Sequence, residues 1–326
     1  MTAPRRGLVL GAGGVLGFSW AVGALTALEQ EHGFDCRDAE FVVGTSAGSI
    51  TAALLGCGVG VDVMLRHQSG RPSPDDAAIE YDYEADGGSG LPPIPAPGIG
   101  STGLLWRTAR HPRQITPLAA LSAVLPRGRG SLEPVGQIVA DIAGESSWTQ
   151  HPATWVVAMD YDSGRRVPFG REGSPPAQLP EAVMASCAIP GWYTPVTIDG
   201  RRYVDGGACS STSLDLLAGL GLDEIFVVAP MASFAFDRPH SVAGQFERRF
   251  RRTVARRLMR EAEKVREAGT DVIMLGPGPE DLAAIGPNLM DPRRRREVLE
   301  TSLRTSVESL RGLAASEDLD VLPSAM

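Results

Sequence analysis

The sequence predicts an α/β fold, a three-layer α/β/α sandwich with a mainly parallel central sheet. Two strand–turn–helix units open the chain. Residues 7–10 lead through a glycine-rich loop into a helix-period stretch, and residues 41–43 lead through a sharp turn into another. Consecutive units of this kind point their strands the same way and return each helix over a face of the sheet. Further short apolar runs at 154–159, 225–228 and 271–275 read as additional buried strands. A chain of 326 residues with 43% hydrophobic content can bury a large core. It reads as one domain over 1–315 with a loose tail at 316–326.

Taken in order, residues 7–10 form the first strand and Gly11-Ala12-Gly13-Gly14-Val15-Leu16-Gly17 the loop. Residues 18–29 read as a helix with Trp20, Ala24, Leu25 and Leu28 on one face. Residues 41–43 are the second strand and 49–55 the second helix. The stretch 71–130 differs. Its part from 75 to 103 is dense in Pro, Gly, Asp and Tyr without sustained periodicity, and reads as a mobile excursion or a lid. Helical patterns return at 115–125 and 132–143. Residues 154–159 and 166–169 are the third and fourth strands, and 179–187 is a small helix ended by Ala188-Ile189-Pro190. Asp199-Gly200 joins 195–198 to 201–204 as a hairpin, because this dipeptide tolerates the positive φ of a tight turn. The last helix is read over 291–313, capped by Asp291-Pro292.

Composition excludes several chemistries. A net charge of −8 argues against a nucleic-acid partner. Lys264 is the only lysine and lies in the solvated run 260–266, which disfavours a Ser–Lys dyad, a Schiff base and a P-loop lysine. Cys36, Cys57, Cys187 and Cys209 show no C-x-x-C pairing and read as reduced structural cysteines. His32, His67, His111, His151 and His240 show no metal-ligand spacing, so neither a metal nor a cofactor is expected. Arg5-Arg6 before an apolar stretch imitates a signal peptide, but glycines interrupt the stretch and no good cleavage site follows. With no run long enough to span a bilayer, a cytoplasmic location is expected. Peripheral membrane contact is the one membrane role left open, through the Arg-rich amphipathic segment 240–268, helical from 245. There Phe246, Phe250, Val254 and Leu258 recur every fourth residue, and Arg248, Arg249, Arg251, Arg252, Arg256, Arg257 and Arg260 cover the rest. This is either a surface helix docked by its apolar stripe or a helix lying on an anionic membrane.

The chemistry centres on Gly44-Thr45-Ser46-Ala47-Gly48, a G-x-S-x-G pattern between a strand and a helix. At such a turn the serine is strained, and side chains at the flanking glycines would collide as strand crosses to helix. Ser46 is the candidate nucleophile, at a helix N-terminus that favours developing negative charge. Gly13 and Gly14 offer unhindered N–H groups for an oxyanion. A dinucleotide reading of that loop fits less well, since Leu16 stands where G-x-G-x-x-G wants glycine. For the base, His240 would follow the Ser…Asp…His order. Asp205, at a strand end before Gly206 and Gly207, would act on Ser46 directly. A second Asp-Gly-Gly at 86–88 has no strand before it.

The ordered set of residues 8–17, Gly44-Thr-Ser-Ala-Gly48, Ala185-Ser-Cys-Ala-Ile-Pro190 and Tyr203-Val-Asp-Gly-Gly207 resembles the bacterial patatin-like phospholipases. The likeness covers roughly residues 6 to 210. It implies a serine acyl hydrolase without a catalytic histidine: a Ser46–Asp205 dyad, Gly13 and Gly14 as oxyanion donors, and Gly17, Gly44, Gly48, Gly206 and Gly207 as motif glycines. It implies hydrolysis of lipid acyl esters through an acyl-serine intermediate. Two departures stand out. Ala12 replaces the first glycine of the usual triplet, and Leu16 replaces a basic residue. The loss of that cation shifts the expectation toward a neutral ester or a thioester. Acyl transfer by the same dyad, and a weakly active lipid-binding relative, are the alternatives.

Overall fold

A computed structural model describes residues 4–79, 93–234 and 242–320. Alternating apolar residues build strand β1 (Arg6–Leu10), so that Leu8 and Leu10 face one side of the sheet and Val9 the other. Helix α1 (Gly14–His32) starts four residues before the stretch expected from periodicity and ends at Gly33, whose left-handed backbone closes the last turn. Strand β2 (Phe41–Thr45) and helix α2 (Ala47–Gly56) follow as the second unit. Helix α3 (Val61–Gln68) was not evident in the sequence.

Within 71–130, residues 80–92, which include Asp86-Gly87-Gly88, lie outside the described residues. The remainder is more ordered than its composition predicts. Helix α4 (Thr102–Arg110) is capped by Ser101 and α5 (Pro117–Val124) by Thr116. Helix α6 (Glu133–Ala143), strands β3 (Thr154–Asp160) and β4 (Arg166–Phe169), and helix α7 (Leu179–Cys187) come next. The hairpin of β5 (Val196–Ile198) and β6 (Arg201–Asp205) turns at Asp199 and Gly200, both at positive φ. Then follow β7 (Glu224–Val228), α8 (Val242–Glu267), β8 (Asp271–Leu275), α9 (Pro279–Ile285) and α10 (Arg295–Asp320). The last helix departs from expectation at both ends. Residues Pro292–Arg294 form a 3-10 turn before it, and it continues through Asp320, so 316–320 belong to it rather than to a loose tail.

The strands form one sheet in the order β5-β6-β3-β2-β1-β7-β8, with β4 pairing β3 off this path. The five strands β3-β2-β1-β7-β8 are mutually parallel. Strands β4 and β6 run antiparallel to β3, and β5 runs antiparallel to β6. One face packs Leu8, Leu10, Val42 and Phe226 under α1 and α10, and continues through Val156 and Ala158 under α6 and α7. The opposite face packs Val9, Val43, Ile225 and Val227 against α8, and Met159 and Val204 against α4 and α5. This is a three-layer α/β/α arrangement. Among the described residues no helix is long and apolar enough to cross a membrane.

Helix α8 does not dock by the expected fourth-residue stripe. Its buried side consists of Arg248, Arg251, Ala255, Leu258, Glu261, Ala262 and Val265, and of the described residues of the expected stripe only Leu258 is fully buried. Phe250 is 39% exposed, whereas Arg251 is 1% exposed and donates to the Pro230 carbonyl and to Glu247. The contact recurs every three to four residues, which keeps it on one line along the helix where a strict fourth-residue stripe drifts around it. The Phe246 side chain is outside the described residues.

Candidate active site

The site forms where β1 and β2 end side by side. Their register pairs Leu10 with Gly44, so the two loops that follow leave the sheet as neighbours. Ser46 sits between β2 and α2 at φ 55, ψ −125. A non-glycine residue there costs on the order of 1–3 kcal/mol and persists only where its surroundings enforce it. The flanking glycines enforce it by their lack of a side chain. A Cβ on Gly48 would stand 2.0 Å from the Leu10 carbonyl oxygen, and one on Gly44 would stand 2.4 Å from the Gly48 carbonyl oxygen. The strand can therefore turn into α2 directly against β1, with Ser46 at the helix N-terminus.

A second serine, which the sequence marked only as part of a motif, braces this turn. Ser186 Oγ accepts from the Ser46 N–H at 2.9 Å and donates to the Val157 carbonyl at 2.6 Å. It is fully buried, near the end of α7. One side chain thus ties the elbow to strand β3. The residue after next, Ala188, accepts from the Asp205 N–H at 3.0 Å, so this segment fixes both Ser46 and Asp205.

Asp205 reaches Ser46 because β6 runs antiparallel to β3. The register pairs Asp205 with Ala158, next to Val157, which pairs Thr45. Strand β6 therefore runs inward from the edge where β3 ends and stops level with the elbow. It breaks at Gly206–Ala208 into a 3-10 turn, and a Cβ on Gly206 would stand 2.4 Å from the Val157 carbonyl oxygen. The Asp205 carboxylate accepts from the Gly207 N–H at 2.7 Å and lies close enough to Ser46 for that hydroxyl to pull the carboxyl's pKa down. Both residues are buried, Ser46 at 5% and Asp205 at 6% exposure. Burial pushes the Asp205 carboxyl up to about 6, against the opposing pull of the Ser46 and Gly207 hydrogen bonds.

The glycine loop faces the elbow. It is anchored by the Gly11 N–H on the Val228 carbonyl, the Ala12 N–H on Ser211 and the Leu16 N–H on Leu289. Gly14 adopts φ 61, a left-handed backbone suited to glycine, at the first residue of α1. Among the described residues no backbone carbonyl takes up the Gly13 or Gly14 N–H. Gly17 packs against Pro230 and donates to the Gly13 carbonyl. Leu16 is fully buried in the core beneath α1.

Two cavities meet at Ser46. A narrow one of about 110 Å³ is lined by residues such as Phe18, Ile50, Leu54, Val135 and Ile138, with no charged side chain among the described residues of its wall. A larger one of about 900 Å³ holds Gly13, Gly14 and Asp205 and is walled by α5 and α8, including Leu118, Phe250 and Arg260. The position of α5 and α8 on this wall was not visible in the sequence, because neither contributes a motif. His240 lies outside the described residues, and none of the described histidines lines either cavity.

The patatin-like phospholipase family model matches residues 8–218. Proteins named uncharacterized NTE family proteins, from Mycobacterium bovis and from Mycobacterium tuberculosis, are 30% identical over 228 residues, which is 70% of this chain and 49% of each relative. The chain thus spans about half the length of the curated relatives it matches. Among solved structures, VipD from Legionella pneumophila aligns over 92% of this chain and 68% of that chain, at 17% identity and a TM-score of 0.42.

Proposed function

The chain belongs to the patatin-like phospholipase family, and from that membership we propose that it is a lipid acyl hydrolase working through a Ser46–Asp205 dyad. Asp205 takes the Ser46 hydroxyl proton as Oγ attacks the ester carbonyl. The Gly13 and Gly14 N–H groups, at the N-terminus of α1, receive the charge that develops on the carbonyl oxygen. Collapse of the tetrahedral intermediate expels the alcohol, which leaves with the proton held by Asp205, and an acyl-Ser46 ester remains. Water, deprotonated by Asp205, attacks that ester and releases the fatty acid and Ser46.

The observation that carries this reading is that β6 stops level with the elbow and sets the buried Asp205 carboxyl, raised to about 6, on the same cavity wall as Ser46. An aspartate at its usual value near 4 is a poor base, and one near 6 stays ionised at neutral pH while holding a proton more strongly. The cavities support a substrate orientation: the narrow one, lined by apolar residues such as Phe18, Ile50 and Leu54, suits the acyl chain, and the larger one suits the alcohol half. The larger mouth, with exposed Leu118, Leu121 and Phe250 on its wall, suits peripheral contact with a lipid surface.

The test uses a chromogenic short acyl ester with wild type, Ser46→Ala, Asp205→Asn and His240→Ala. Turnover should fall by orders of magnitude in the first two variants and persist in the third. A fluorophosphonate probe should label wild type and spare Ser46→Ala. Undiminished turnover by Ser46→Ala, or loss in a folded His240→Ala, would sink the dyad. Product analysis with an acceptor alcohol present separates hydrolysis, which yields only free acid, from acyl transfer.

A further inference from the structure

The larger cavity carries a charge arrangement that the dyad does not use. Among the described residues its charged side chains are Asp205, Arg257 and Arg260. Phe250, Val254, Arg257 and Arg260 share one face of α8, so both arginines enter the wall from the same helix. Arg257 donates through Nε to Glu261 at 3.1 Å. Glu261 is buried at 5% exposure and also accepts from Ser210 Oγ, Thr212 Oγ1 and the Leu214 N–H. That carboxylate therefore locks Arg257 to the loop that follows the Asp205 turn. Arg260 turns its Nε to the Arg256 carbonyl at 3.3 Å. Among the described residues no carboxylate lies within ion-pair reach of it. Among the described residues, the wall thus holds one compensated and one uncompensated guanidinium, while the narrow cavity holds no charged side chain.

A guanidinium beside a partly enclosed cavity attracts an anion more strongly than one in open water, and its fork of donors matches phosphate oxygens. Leu16, beside the glycine loop, is apolar and fully buried in the core. Positive charge reaches the cavity from the α8 wall instead. Resting on the hydrolase reading, we propose that Arg260, with Arg257 beside it, forms an anion subsite for the leaving half of the substrate. The preferred substrate is then an acyl ester or thioester whose leaving group carries a phosphate. This reverses the expectation of a neutral ester drawn from Leu16 alone.

The test compares three substrates with the same acyl chain: a monoacylglycerol, a lysophosphatidylglycerol and an acyl-CoA. Wild type should have a higher kcat/KM on one of the two phosphate-bearing substrates than on the monoacylglycerol. Arg260→Gln should lower that value about tenfold, through KM, and leave the neutral substrate within about twofold. Arg260→Lys should recover part of the loss. The substrate on which the loss falls distinguishes a lipid head group from the phosphates of the thioester carrier. An equal fall on all three substrates, or no change on either phosphate-bearing one, overturns the subsite and leaves the hydrolase reading standing. Absence of any turnover that Ser46→Ala removes overturns the hydrolase reading, and the subsite with it.

Discussion

Asp205 is held in a conflict that has consequences for both rate and stability. Its carboxyl is raised to about 6 by burial, so between about pH 4 and 6 the folded protein binds a proton that the unfolded chain has released. This group's stabilising contribution is complete below about pH 4 and is lost as pH rises through 6. Asp205→Asn removes the buried charge and keeps an oxygen for the Gly207 N–H. It should raise stability at pH 8 by on the order of 2 kcal/mol, with the gain shrinking toward pH 4. Thermal denaturation of both proteins at the two pH values checks this, and an equal gain at both would contradict it. Under the proposed dyad the wild-type kcat/KM should rise with pH through an acid limb near 6, since Asp205 would have to be ionised to accept the proton. Ser186 acts at the same scale as a positioning residue. Ser186→Ala leaves the Ser46 N–H without its partner at a cost of about 1–3 kcal/mol, and the strained elbow loses its brace. A folded variant should show a lower kcat with KM little changed. An unchanged kcat would show that the elbow holds without the brace.

At the scale of elements, the two motif-bearing units were legible because steric need writes itself into sequence. Gly44 and Gly48 mark the elbow, as the backbone contacts their Cβ atoms would make explain. Replacing Gly48 with alanine should force α2 off β1 and cost more than about 3 kcal/mol or prevent folding. Gly312, inside α10, has nothing within 4 Å of a built Cβ, so Gly312→Ala should stabilise by roughly 0.5–1 kcal/mol. Chemical denaturation of the two variants separates steric from entropic glycines. Buried strands and the Asp199-Gly200 hairpin were also readable, from apolar runs and turn chemistry. What stayed hidden was determined by tertiary partners. Nothing local in Arg201–Asp205 announces that β6 pairs antiparallel with β3, yet this direction brings Asp205 level with Thr45. The arginines of α8 looked like a solvated face. Arg251 is buried because the Pro230 carbonyl and Glu247 meet its guanidinium, and those partners lie in other parts of the fold or on the adjoining turn.

Across the whole molecule, the motif-bearing stretch does not coincide with a unit that can fold. The family match ends at residue 218, but β1 pairs β2 on one side and β7 on the other. Ending the chain there would remove β7 and β8 and leave β1, with the glycine loop at its end, as an open edge. It would uncover Val9 and Leu8, which pack with Val227, Phe226 and Val228. It would also strip α10 from α1, where Ser302 Oγ donates to the Trp20 carbonyl and the Ser302 side chain fills the space left by Gly23. The loop would lose the Gly11 N–H bond to Val228 and the Leu16 N–H bond to Leu289, two of its anchors. Gly13 and Gly14 would no longer be held opposite Ser46. A chain of residues 1–218 should therefore show no cooperative thermal transition and no fluorophosphonate labelling at Ser46, whereas 1–320 should show both. A cooperative melt with stoichiometric labelling in the shorter chain would mean that the glycine loop is held by α1 and β2 alone, and that β7, β8 and α10 serve the cavity wall rather than the elbow.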